Sequence, residues 1–262
     1  MFRVPPQSAA TKTAQPKDCA GEFYFLGCIP WEEALLLQQR LAFEISGDEQ
    51  ARLAVLFCEH PEIVTVGRSG SRLHVRYTDE QLRREGLQLR WVGRGGGCVL
   101  HAPGQLCVYP IVPLERCGWS VGEYLRRFHA GLRGGLEDLG VHAQIREGQP
   151  GLWGRSGLLA AVGVAVRNWV TFHGAFVNVN PAMARFARVE TVAPEDLPIG
   201  QQGTMSCLLA ERRLPLRMAS VRAALVPRLA ASFACPRYHM HTGHPWLQTP
   251  QGDFRERIAR AC

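Results

Sequence analysis

The chain has 262 residues, 46% of them hydrophobic and 20% charged, with a formal net charge of +7. That is the composition of one globular domain with a single sizeable core, and no apolar run reaches the roughly 20 residues of a membrane-spanning helix. Of the 30 basic residues only Lys12 and Lys17 are lysine, so from Asp18 onward no side chain offers a primary amine as base, Schiff-base nucleophile or phosphate point charge.

Residues 1–21 are rich in Pro, Ser, Thr and Ala and lack the apolar stretch of a secretory signal, which predicts a mobile tail. Glu22 to Ile29 alternates as a first strand. Pro30 then opens an amphipathic helix from Trp31 to about Ser46, with apolar Leu35, Leu36, Leu41, Ala42 and Ile45. Two short buried-type strands, Leu53 to Phe57 and Ile63 to Val66, flank Glu59-His60-Pro61. Thr78 caps a short helix through Glu85, and Leu87 to Val92 is a strand leading into a loop from Arg94 to Gln105. Leu106 to Ile111 is strand-like, and Ser120 opens a long helix to about Leu139 with Tyr124, Leu125, Phe128, Leu132 and Leu136 on one face. Strands follow near His142 to Ile145, at Leu158 to Val166 and at Val170 to Asn178. A turn or helix at Pro181 to Phe186 and a Pro-rich loop through Gly203 come next. Met205 to Glu211 and Ala219 to Phe233 read as helices, the second disturbed by Pro227. Residues 236–262 are expected to be a C-terminal tail. Strands and helices mix without strict alternation, which predicts a single α+β domain over residues 22–235, with a mixed central sheet and helices packed on it.

The nine cysteines form no Cys-x-x-Cys pair, which argues against zinc-ribbon and thioredoxin-like sites. Several sit in apolar contexts, where a reduced thiol behaves as a small hydrophobe, and a cytoplasmic protein is expected. The positive charge suits an acidic partner such as a carrier protein. Nucleic acid fits less well, because the arginines are scattered and not interleaved with aromatics. His239-x-His241-x-x-His244 has the density of a metal site but falls in the expected tail without orienting partners, so no metal is expected.

Arg94-Gly95-Gly96-Gly97-Cys98-Val99-Leu100-His101-Ala102-Pro103-Gly104-Gln105 is the segment richest in binding potential. Consecutive glycines let a backbone approach a ligand closely, because no Cβ intervenes. The segment has neither the spacing of a dinucleotide fingerprint nor the Gly-Lys-Ser/Thr of a phosphate loop. Read together with Glu59-His60-Pro61, Thr65-Val66-Gly67, Leu158 to Val164 and Thr171 to Asn180, it resembles the octanoyltransferase family of lipoate biosynthesis. The resemblance rests on Arg94, Gly95, Gly96, His101, Pro103, Gly104 and Gln105, and departs from the family pattern at Val99, Leu100 and Ala102.

The resemblance implies the fold shared with lipoate and biotin protein ligases. It also implies movement of an octanoyl chain, without a cofactor, from acyl carrier protein to a lysine of lipoyl domains. Those domains belong to 2-oxoacid dehydrogenases or to the glycine cleavage H protein. Residues Arg94 through His101 (with Gly97 and Cys98), Ala161-Val162-Gly163 and Gly174-Ala175-Phe176 would line the acyl tunnel. A dry slot walled by small residues gains about 0.8 kcal/mol per buried methylene.

Family chemistry also implies a cysteine that takes the acyl group and a lysine that activates it. Leu158 stands at the lysine position, and the cysteine position falls on Val192 or Ile199, depending on where the alignment is anchored. Two readings stay open. An enzyme with relocated chemistry would use Cys207 as nucleophile and His101 or His173 as base. A non-catalytic relative would instead bind an acyl chain, an acyl carrier protein or a lipoyl domain.

Overall fold

The computed structural model describes residues 19–48, 52–146, 148–192 and 205–247. Its frame is a mixed sheet of eight strands flanked on one face by two helices and on the other by one helix and a small second sheet. Strand β1 (Ala20–Cys28) leads through Pro30 into helix α1 (Trp31–Gly47), and β2 (Arg52–Glu59) returns parallel to β1. After β3 (Ile63–Val66), helix α2 (Asp79–Arg84) and β4 (Gln88–Trp91) come β5 (Cys98–His101), β6 (Gln105–Ile111) and the single turn α3 (Leu114–Cys117). The long helix α4 (Val121–Asp138) precedes β7 (Gln144–Arg146), β8 (Gln149–Trp153), β9 (Leu158–Arg167) and β10 (Val170–Asn178). Short helices α5 (Met183–Phe186) and α6 (Leu208–Arg212), helix α7 (Met218–Ser232) and strand β11 (Arg237–Thr242) follow.

The large sheet has the order β11-β1-β2-β6-β10-β9-β8-β7, and the small one β4-β3-β5. Strand alternation sends each residue of β2 to one of two cores. Leu53, Val55 and Phe57 meet Phe128, Leu132, Leu225 and Leu229 of α4 and α7, whereas Ala54, Leu56 and Cys58 meet Leu37 and Leu41 of α1 and Val64 and Val66 of the small sheet. Helix starts follow local chemistry: the Ser120 hydroxyl accepts from the Glu123 N–H at the head of α4, and Thr78 and Gln81 form a reciprocal capping box at α2. Among the described residues no helix is long and apolar enough to cross a membrane.

Several expectations need correction. Residues 236–262 are not all tail: Arg237–Thr242 form the edge strand β11, parallel to β1, and His241 pairs with Glu22 and stacks on Tyr24. At the other end Ala20 and Gly21 already belong to β1, while the first 18 positions of the expected tail lie outside the described residues. The stretch from Arg94 to Gln105 is not one loop, since Cys98–His101 pairs antiparallel with β3. Met205 is not helical; it bridges to Leu158, and helix α6 begins at Leu208. Of the Pro-rich loop expected through Gly203, residues 193–203 lie outside the described residues.

Candidate functional site

Arg94 organises the glycine segment. Its side chain is 2% exposed and folds back over its own loop. Nη1 donates to the carbonyls of Gly95 and Gly97, each at 3.0 Å, and Nη2 donates to the Thr65 carbonyl at 3.0 Å and the Thr65 hydroxyl at 2.8 Å. The chain leaving β3 is zipped alongside, with Gly67, Arg68 and Ser69 N–H groups on the carbonyls of Gly97, Arg94 and Gly96. This packing explains the glycines where they touch. Gly96 has φ +81°, and a Cβ on Gly163 of β9 would lie 2.4 Å from the Gly95 carbonyl oxygen. Burial brings Arg94 down to about 10, still a cation at neutral pH, and its Nε is buried without a hydrogen-bond partner.

Beside this loop lies a narrow, partly open crevice of about 10 Å³, the room of about one water molecule. Among the described residues its wall is formed by Arg94, Gly96, Gly97 and Val99, by Ala161, Val162 and Gly163 of β9, by Phe176 of β10, and by Thr191 and Val192. The structure therefore brings together three of the segments named from the sequence, but only part of each. Gly95, Cys98, Leu100 and His101 do not line the cavity, and neither do Gly174 and Ala175. Strand pleating is one reason: Val99 faces the cavity while Cys98 and Leu100, its neighbours in β5, point to the opposite side. Gly174 is needed for a different contact, because a Cβ there would lie 2.0 Å from the Val108 carbonyl oxygen. Thr191 went unnoticed in the sequence, and Val192 figured there only as a vacant nucleophile position. Their place in the wall comes from a tertiary contact, the Thr191 carbonyl packing over Gly97, which no local pattern reports.

His101 is fully buried in a hydrogen-bonded chain behind the cavity. Arg94 Nη2 donates to Thr65 Oγ1, and Thr65 Oγ1 lies 2.9 Å from His101 Nε2; His101 Nδ1 lies 2.9 Å from Gln105 Oε1. Gln105 Nε2 donates to the Leu100 carbonyl and to Asn178 Oδ1, and Asn178 Nδ2 donates to the Ser206 carbonyl. Only one assignment satisfies every member: Thr65 donates to Nε2, and the neutral imidazole carries its proton on Nδ1. Burial holds the His101 pKa below the usual histidine value, which agrees with that tautomer. With both nitrogens committed, His101 positions the loop and is not available as a base, which corrects the expectation from sequence. The alternative base His173 is buried with a pKa brought down to about 3, first by burial and then by the Arg94 charge.

Cys207 is corrected as well. It is 4% exposed, stands at the N-cap position of α6 without a side-chain cap hydrogen bond and is not among the cavity-lining residues, so the described cavity does not present it to an acyl group. Leu158, at the lysine position, is fully buried. Val192, one of the two cysteine positions, is in the cavity wall; the other, Ile199, lies outside the described residues. Among the described residues no group of three metal-ligating side chains converges.

Comparison with known proteins places these features in a wider set. The family model described as lipoyl protein ligase A/B catalytic domain matches residues 30–229. An octanoyltransferase of Syntrophotalea carbinolica is 36% identical over 202 residues, covering 77% of this chain and 89% of that protein. Another from Citrifermentans bemidjiense is 39% identical over 171 residues, 64% of this chain and 78% of the relative. Among solved structures, lipoate-protein ligase A bound with ATP superposes with a TM-score of 0.66 at 16% identity, covering 92% of this chain and 93% of the other. The bipartite lipoate protein ligase of Thermoplasma acidophilum does so with the same score and identity, covering 92% and 91%. At that identity the superpositions speak for the fold alone.

Proposed function

This chain belongs to the lipoyl protein ligase A/B catalytic-domain family, and on that premise we propose that it is an octanoyltransferase of lipoate biosynthesis. Its donor would be an octanoyl thioester on acyl carrier protein, and its acceptor a lysine of a lipoyl domain, in the cytoplasm. The observation that carries the reading is the cavity: a slot of Gly, Ala, Val and Phe walls closed on one side by a single buried cation. Small apolar walls suit an alkyl chain for which the crevice widens, and burying each methylene contributes about 0.8 kcal/mol.

The described cavity wall contains no thiol and no amine; its polar side chains are the Arg94 guanidinium and the Thr191 hydroxyl. Direct aminolysis fits this set of groups. The lipoyl-domain amine attacks the thioester carbonyl, a C–N bond forms and the C–S bond breaks. The carrier thiol then leaves with the proton released by the amine. The protein's part is to hold the acyl chain and exclude water, which is the positioning component of catalysis. Apolar Leu158 at the family lysine position, and an apolar residue, Val192 or Ile199, at the cysteine position, favour a second reading, a relative that binds the acyl chain without turning it over.

One experiment separates the two. The protein is incubated with octanoyl-acyl carrier protein and an apo lipoyl domain, and the lipoyl domain is weighed by intact-mass spectrometry. Octanoylation above the rate without protein supports transfer. Octanoate binding with no octanoylated product sinks transfer in favour of the binding reading.

A further inference from the structure

The segment that follows β3 is wedged between two walls of the cavity. On one side Gly67, Arg68 and Ser69 are hydrogen-bonded to the carbonyls of the Arg94–Gly97 loop, and the Cys98 thiol reaches the Ser71 carbonyl at 3.4 Å. On the other side Arg76 N–H donates to the Arg188 carbonyl and Glu190 N–H to the His74 carbonyl, just ahead of Thr191 and Val192. The segment is thus a rim of the cavity mouth.

This rim is rigid. Its 3₁₀ turn, Arg72–His74, is capped by the Ser71 hydroxyl. Arg72 then ties the next residues together, donating to the Val75 carbonyl at 2.7 Å, the Tyr77 carbonyl at 2.6 Å and Asp79 at 2.8 Å. On top of this braced turn Leu73 is 86% exposed, the most exposed large hydrophobic side chain among the described residues. A leucine held out into water by an ordered scaffold contributes nothing to the core and stands ready to be covered by a partner.

The segment around Leu73 is rich in arginine, most of it ion-paired. Arg68 is exposed and has no ion-pair partner among the described residues. Arg76 is 65% exposed and paired with Glu190, and Arg188 lies 4.0 Å over the Tyr77 ring. Against Arg68, Arg72, Arg76, Arg185 and Arg188 stand Asp79, Glu190, Glu62 and Glu85, so the rim keeps a small positive excess, with Arg68 outside every ion pair among the described residues.

We propose that this rim, with Leu73 as anchor and Arg68 as free cation, is the docking surface for an acidic acyl carrier protein, which it aligns so that the thioester arm enters the adjacent cavity. The inference rests on the octanoyl-transfer reading and adds to it where the donor sits. Charge complementarity to unpaired Arg68 selects this occupant, and an exposed apolar side chain beside a free cation fixes register once long-range attraction has brought an acidic helix close.

The test is titration of fluorescently labelled octanoyl-acyl carrier protein with the full chain by anisotropy, at low and at physiological salt. Wild type, Arg68→Glu and Leu73→Ser are compared, with thermal melts confirming that both surface variants stay folded. Arg68→Glu is expected to weaken binding by about tenfold at low salt and to flatten the salt dependence. Leu73→Ser is expected to weaken it by about the same factor with the salt slope kept. Binding within twofold of wild type for either variant overturns the proposal, as does an equal loss of lipoyl-domain binding in both. If carrier binding follows the expected pattern while no lipoyl domain is octanoylated, the docking surface stands and the transfer reading falls.

Discussion

At the scale of single residues the site is defined by where a side chain is missing. Gly163 lies against the Gly95 carbonyl oxygen and the Arg94 side chain, so a methyl group there must push the loop away or fill the slot. Gly163→Ala is expected to cost about 1–3 kcal/mol of stability by overpacking and to abolish octanoate binding. Calorimetric titration of the folded variant checks this, and unchanged affinity would disprove the slot. Val192 is the complementary case, because it occupies a cavity wall where a nucleophile would be useful. Val192→Cys places a thiol there in a side chain of slightly smaller volume. Incubation with octanoyl-acyl carrier protein is expected to add one octanoyl group to the variant and none to wild type. An unmodified variant would mean that the acyl carbonyl does not reach this wall. The arginine, glycines and histidine of the loop were legible in the sequence. Their division of labour was not, because it depends on strand pleating in β5 and on a hydrogen-bonded chain linking Arg94, Thr65, His101, Gln105 and Asn178 across four strands and a loop.

Elements divide according to how much of their information is local. The helices α1, α4 and α7 match the periodicity in the sequence to within one residue at each end, since their apolar faces repeat at helical spacing. Strand β11 was missed because Arg-Tyr-His-Met-His-Thr has no apolar alternation and all six residues are exposed; only pairing with distant β1 makes it a strand. Packing of α4 on α7 gives a paired prediction. Gly134 and Gly135 are adjacent in α4 and equally poor helix formers. A Cβ on Gly134 would lie 3.3 Å from the flexible Arg228 side chain, whereas one on Gly135 would lie 2.7 Å from Leu225 Cδ2 and 3.0 Å from its Cα. Gly134→Ala should therefore stabilise the protein by up to about 1 kcal/mol from helix propensity. Gly135→Ala should instead destabilise it by about 1–3 kcal/mol from overpacking. Urea midpoints of the two variants test this, and equal shifts of the same sign would refute close contact between the helices.

Across the whole molecule, acid should act through buried groups that resist or require charge. His173 sits in the α1-side core with its pKa at about 3, lowered first by burial and then by Arg94 and His101, against about 6.5 in an unfolded chain. The unfolded state binds its proton first, so the stability linked to His173 is complete above pH about 6.5 and drains away as pH falls towards 3. Glu211 is lowered to about 2: burial opposes this, but hydrogen bonds from the Ser156 backbone and side chain and from Arg155 prevail. Its share is complete above pH about 4.5 and is lost on the way down to 2. The two windows overlap between pH about 4.5 and 3, so denaturant midpoints plotted against pH should be level above about 7, fall gently below about 6.5 and steeply below about 4.5. His173→Asn, which keeps a residue tolerant of the left-handed φ of 58°, should remove the gentle limb, and Glu211→Gln should reduce the steep one. Parallel profiles for wild type and both variants would show that neither group governs the acid limb. Because Arg94 and His101 both depress His173, protonating it adds a cation beside the one buried charge that holds the glycine loop together. Because the folded chain takes that proton only near pH 3, octanoate binding should keep its neutral-pH affinity down to the pH at which the chain unfolds.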